Sequence, residues 1–184
     1  MNDAASNSYL TIQQSPSPNQ MVKFAELMEV KESIPLKLAD RRAINTLILS
    51  AWDSIAEPDK EHRISKAELR GPADTASNTS KLDSTLSRLQ ACQLKLTIQR
   101  DGKPYKQSIS LLRSYAMPQD GSGDIIYQFE SEMVQMFQSS THWGKLERDV
   151  MLHFRSRYSL ALYELLMKRI NLKWKWKEQF EVEE

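Results

Sequence analysis

Cysteine is nearly absent: Cys92 is the only one in 184 residues. That excludes an internal disulfide and any all-cysteine metal site, and it suits a reducing cytoplasm, where the chain is expected to reside. Histidine is scarce as well. His62, His142 and His153 have no partner at metal-ligand spacing, and no two are separated by a single residue, as a metal-dependent DNA-nicking site would want. The 5 glycines form no G-x-x-x-x-G-K-[ST] loop, so ATP hydrolysis is not expected. No apolar stretch is long enough to cross a bilayer, and no apolar run follows a basic start, so no membrane partner is expected. An excess of one charge is missing too. With 25 basic and 24 acidic residues the formal net charge is +1, and any contact with DNA must come from local charge. No catalytic residue, metal or cofactor is expected.

What is present is material for one domain. Forty per cent of the residues are hydrophobic, enough for a real core at this length. Residues 1–19 are rich in Ser, Asn, Gln and Pro and predict a disordered arm. Met21, Phe24, Ala25 and Met28 recur at helical spacing and predict a short amphipathic segment. Pro35 imposes an extended lead-in. Asp40 then reads as the N-cap of a helix whose stripe is Ile44, Leu47, Ile48, Ala51, Trp52 and Ile55, ending before Pro58. His62-Arg63-Ile64 is a short strand, and Ser65-Lys66-Ala67-Glu68 is a capping box opening a short helix that stops at Gly71-Pro72.

A helix from Thr79 or Ser80 places Leu82, Leu86, Leu89 and Cys92 on one face; Cys92 is thereby a small buried hydrophobe rather than a reactive thiol. Leu94, Leu96 and Ile98 alternate with Lys95, Thr97 and Gln99 as a half-buried strand. Asp101-Gly102 supplies a turn, Ser108 to Tyr115 a second strand, Pro118 to Gly123 another turn and Ile125 to Phe129 a third strand. Helix, short strand, helix, helix, strand, wing, strand is the order of a winged helix. The expected class is α+β, a helix-turn-helix with a three-stranded antiparallel sheet. Met133 to Phe137 predicts a short helix, and Trp143 to Phe154 a further helical region.

Arg155 to Leu172 predicts a long central helix. Its apolar stripes, Leu160, Tyr163, Leu166, Met167, Ile170 and Tyr158, Leu162, Leu165, Leu172, face two directions and ask for cover on both sides, so Leu160, Leu162, Tyr163 and Leu166 are expected in the core. Here Ser156-x-Tyr158 followed by Leu162-Tyr163-Glu164-x-Leu166 resembles the S-x-Y-x-x-x-L-Y-E-x-L signature of the initiator replication proteins of iteron plasmids, which bind repeated DNA at a plasmid origin. Leu38-Ala39-Asp40-Arg41-Arg42-Ala43-Ile44-Asn45 is similar to that family's first-helix start. The resemblance implies an N-terminal winged helix over residues 20–177 that mediates self-association. It also implies that residues 178–184 open a second winged helix, absent from this chain, to which sequence reading mainly belongs. The implied partners are a second copy, double-stranded DNA at origin repeats, and host replication proteins such as helicase and its loader.

The residues that would touch DNA are cations at three places. The third helix offers Lys81, Ser84, Ser87 and Arg88 with Asp83 opposing them, a thin set of base readers. Arg100, Lys103 and Lys106 lie near the Asp101-Gly102 turn, suited to phosphate contact or to a solvated hairpin tip. Lys173, Lys175 and Lys177 alternate with Trp174 and Trp176 and form either a cationic ridge or the solvated edge of a tail. Tyr158 or Tyr163 as a covalent nucleophile lacks a metal partner, and both are expected as aromatic core. The alternative to the initiator reading is a transcription repressor that reads its operator with the third helix.

Overall fold

The computed structural model describes residues 19–24, 27–28, 31–70, 79–120, 122–140 and 143–171. Helix α1, Leu38–Ser50, buries Ala43, Ile44, Leu47 and Ile48 along one face and touches more elements than any other helix does. Lys37 is extended, with φ −73 and ψ 167, and its amide donates to Asp40 Oδ2 at 2.9 Å. Asp40 is therefore inside the first turn and not the N-cap: its carboxylate reaches back to an amide that has no intrahelical partner.

Strand β1, Gln20–Phe24, and strand β2, Lys31–Glu32, precede α1; strand β3, His62–Ile64, follows it. Helix α2, Lys66–Arg70, starts as expected, with Ser65 Oγ accepting the Glu68 amide at 3.1 Å. Helix α3, Thr79–Ala91, buries Leu82, Leu86 and Leu89, and Cys92 beyond it is buried and free.

The winged helix is there, but its wing is not where the sequence predicts it. Strands β4, Gln93–Arg100, and β5, Lys103–Ser110, join through Asp101 and Gly102 at φ 52 and 71, and this hairpin forms a sheet of order β2-β4-β5. The sheet that completes the helix-turn-helix is a different one, of order β3-β7-β6, with β6 at Leu112–Ala116 and β7 at Ile125–Phe129. Its connection, residues 117–124, is the wing, and β4–β5 is an insertion before it. The strand expected over Ser108 to Tyr115 is split because Leu111 and Leu112 are buried in succession, which breaks the alternation and moves the chain into another sheet. The Tyr127 hydroxyl donates to the Leu47 carbonyl at 2.7 Å and ties β7 to α1.

Parts of two expected helical segments are strands. β1 pairs antiparallel with β8, Trp143–Glu147, from Gln20↔Glu147 to Phe24↔Trp143. Met21, Val22, Lys23 and Phe24 are all buried, so β1 is covered on both faces and shows no alternation; a short apolar run of this kind fits helix or strand equally well. In β8 a Cβ on Gly144 would overlap Met28 Cε, the end of a flexible side chain, which would have to turn aside. Helix α4, Ser131–Ser139, packs Phe137 edge-on to Phe24 at 4.7 Å, and short helix α5 occupies Arg148–His153.

Helix α6, Arg157–Asn171, packs on β8 and α1 with one face only. Leu160 is fully buried, and Tyr163 is half-buried with its hydroxyl accepting the Glu147 amide at 2.9 Å. Leu162 and Leu166 are 57% and 50% exposed, in line with Tyr158 at 70% and Ile170 at 53%, so the expected core positions Leu162 and Leu166 are corrected to surface. The buried line runs Leu160 to Glu164, one turn apart, and the i, i+4 row beginning at Tyr158 lies on the other side of the helix. A long central helix covered on both sides is thus not what α6 is. Of the arm expected over 1–19 only Asn19 is described, its carbonyl accepting the Arg148 amide at 2.7 Å; the second-domain start at 178–184 lies outside the described residues.

Candidate nucleic-acid interface

Helix α3 holds the place of the reading helix, and its two cations have different fates. Lys81 is exposed. Arg88 grips the fully buried Asp40, Nη2 to Oδ1 at 2.6 Å and Nε to Oδ2 at 3.0 Å, and also donates to Thr85 Oγ1 at 3.2 Å. That carboxylate raises the pKa of Arg88. A guanidinium held in this fork leaves only Nη1 without a bond among the described residues, so Arg88 clamps α3 on α1 and is a poor bidentate reader of guanine. Ser84 Oγ donates to the Ser80 carbonyl at 2.9 Å, and Ser87 Oγ lies 2.6 Å from the Tyr115 hydroxyl, which donates to Asp83 at 2.9 Å. The exposed face of α3 is left with one free cation among the described residues.

The wing, residues 117–124, contains Asp120 and Asp124 and no Lys or Arg. Asp120 accepts from the Ser122 amide at 2.9 Å and from its hydroxyl at 2.8 Å, and these bonds hold its carboxyl below the usual range. A wing that stays anionic repels phosphate.

The inserted hairpin is cationic instead. Leu94 opposite Ile109, both buried, defines the inward face of β4–β5. Parity then places Lys103, opposite Arg100, on that same face, while Lys106, opposite Thr97, points outward. The Arg100 side chain lies outside the described residues. The cations expected at this turn therefore do not share one surface. Lys106 has a different neighbour: Lys95, exposed on the outward face, sits diagonally from it. Lys95 was legible in the alternation of β4, but its partnership depends on the register. Lys173, Lys175 and Lys177 lie outside the described residues.

The inserted hairpin, the winged helix, the β1–β8 pair and most of α6 fall within one match. A model of the family described as Initiator Replication protein, WH1, covers residues 20–167. The chain belongs to this family. Among curated proteins none matches it. In this initiator domain Tyr163 and Glu164 are structural: the first caps a β8 amide, and the second lies buried against Lys23, Asn45 and Arg41. Tyr158 is exposed rather than core, with the Arg157 guanidinium 4.7 Å from its ring centre. Among the described residues no three His, Cys, Asp or Glu side chains are grouped to hold a metal, and no helix is long and apolar enough to cross a membrane.

Proposed function

We propose that this initiator WH1 domain is the self-associating N-terminal part of a plasmid replication initiator, with auxiliary contacts to DNA phosphates at origin repeats. One observation carries the reading. β5 ends its sheet, and its eight residues present an edge that no other described strand pairs. Lys103 to Lys106 on it are exposed. An open edge of that length is a template for the same strand of a second copy, antiparallel across a two-fold axis. β7 is paired on both sides, by β3 and β6, and offers no free edge.

DNA contact in this reading is electrostatic and indifferent to sequence. Lys81, Lys95, Lys103 and Lys106 support phosphate contact, with Lys173, Lys175 and Lys177 as further candidates, whereas a clamped Arg88 and an acidic wing argue against base reading by α3. Dimer contacts would compete with DNA engagement, and host helicase and its loader would act at the melted origin. The domain is not an enzyme in this proposal.

Sedimentation velocity on the chain over a concentration series, with and without a fluorescent duplex carrying an origin repeat, tests it. A concentration-dependent dimer with weak, salt-sensitive DNA binding is expected. A monomer at every concentration that binds the repeat tightly and rejects a scrambled duplex would instead favour a repressor reading through Lys81 and Ser84.

A further inference from the structure

A cavity of about 460 Å³ opens between the first turn of α1, the C-terminal end of α2 and the first half of α3. Its volume is that of a small-molecule site. Lys37, Arg42, Arg70, Lys81 and Arg88 line it, and among the described residues no carboxylate does. Arg88 is neutralised by Asp40; among the described residues the other four cations form no ion pair.

Arg42 and Arg70 are recessed and incompletely satisfied. Arg42 Nη2 donates to the carbonyl oxygens of Leu152, at 2.7 Å, and Phe154. Its Nε is nonetheless buried without an acceptor, and so is the Nε of Arg70. Buried donors are nearly always bonded, and a guanidinium withdrawn from water without a counter-charge is costly. The two Nε atoms are closed off from solvent and so from any ligand; what an entering anion would meet is the positive charge of the cations on the cavity wall, four of which form no ion pair among the described residues. The N-terminal turns of α1 and α3, helices of 13 residues each, add positive potential at the same place.

We propose that this cavity binds a small oligophosphate, the class of inorganic triphosphate and nucleoside di- and triphosphates. Several phosphoryl groups supply the charge that four unpaired cations require, and their oxygens match the donor fork of arginine. The phosphates of a duplex lie along a convex surface and meet exposed cations; Arg42 and Arg70 are half-buried, so their anion has to enter the recess. Among the described residues no carboxylate or histidine lines the cavity to act as a general base, and binding alone is proposed for it. The inference stands apart from self-association, which is measured separately.

The test is calorimetric titration and thermal melting of the full chain with inorganic triphosphate, ATP, orthophosphate and a short duplex in separate arms. Triphosphate is expected to bind with one-to-one stoichiometry, to raise Tm, and to outcompete orthophosphate. Arg70→Gln with Lys81→Gln is expected to weaken it by at least about tenfold, while Lys103→Gln with Lys106→Gln on the hairpin leaves it unchanged. Lys81→Gln alone, at an exposed position, repeats the comparison if the double variant does not fold. Absence of binding at about 1 mM triphosphate, or equal affinity in the Lys81 variants, overturns the proposal. So does a duplex whose binding depends on Arg70 and Lys81 while triphosphate neither binds nor competes; the cavity would then be a DNA-backbone contact.

Discussion

Lys23 Nζ lies 3.0 Å from Glu164 Oε1, with 3% and 1% of the two side chains exposed. Asn45 bridges them, accepting from Lys23 at 3.2 Å and donating to Glu164 at 2.9 Å, and Arg41 approaches the other carboxylate oxygen at 3.4 Å. Burial lowers the pKa of Lys23, and Glu164 opposes that shift. Strand β1, helix α1 and helix α6 meet at this one carboxylate. Removing one partner strands a buried charge: Lys23→Met is expected to cost about 3 to 5 kcal/mol in urea unfolding. Adding Glu164→Gln should recover much of that loss, and a double-mutant cycle showing additive losses would refute the coupling.

Arg88→Met removes the partner of a fully buried carboxylate, Asp40. A loss of about 2 to 4 kcal/mol is expected, below the fully buried case because Arg88 is partly exposed. Lys81→Met, one cation away on the same helix, should stay within about 0.5 kcal/mol. If Arg88 were a base reader, its variant would keep its stability and lose only DNA affinity, so thermal melting and duplex binding together decide the matter.

On α6, Leu160→Ala should destabilise by about 2 to 5 kcal/mol, since it empties a fully buried site. Leu162→Ala and Leu166→Ala should each remain within about 0.5 kcal/mol, as exposed positions do. Equal losses at all three would mean that the exposed row is covered in solution, and sedimentation would then show by what.

His62 gives the stability a pH dependence. It is buried, its Nδ1 lies 3.4 Å from Ser54 Oγ, and burial with nearby Lys60 lowers its pKa from the ordinary 6.5. Between that lowered value and 6.5 the unfolded chain holds more protons than the folded one, so this contribution to stability falls as pH drops through the window and is fully present above it. Melting temperature measured from neutral pH downward should decline through that range, and His62→Gln should flatten the slope. An unchanged slope in the variant would assign the dependence to other groups.

Much of the winged helix is written in local pattern. The stripe of α1, the Ser65 half of the capping box, the face of α3 and the Asp101-Gly102 turn each depend on residues a few positions apart, and each lies where the spacing predicts. What escaped depends on distant partners. Met21 to Phe24 reads as part of a helical segment until β8 is known to lie beside it. Arg88 reads as a DNA contact until Asp40, 48 residues away, is brought against it. Nothing local marks Glu164 as buried, for the same reason: its cation is 141 residues earlier. The sheet exchange at Leu111 and Leu112 left a local trace, two apolar residues in succession, but which sheet receives each half is a tertiary fact.

The pairing of β1 with β8 also sets an order of assembly. During synthesis the winged helix, residues 38 to 129, can close while its N-terminal neighbour still has nothing to pair with. At about 5 to 20 residues per second, Gln20 waits roughly 6 to 25 s for Glu147 to be made. For that interval Met21, Val22 and Phe24 have no mate, and the strand that emerges first is among the last to find its place.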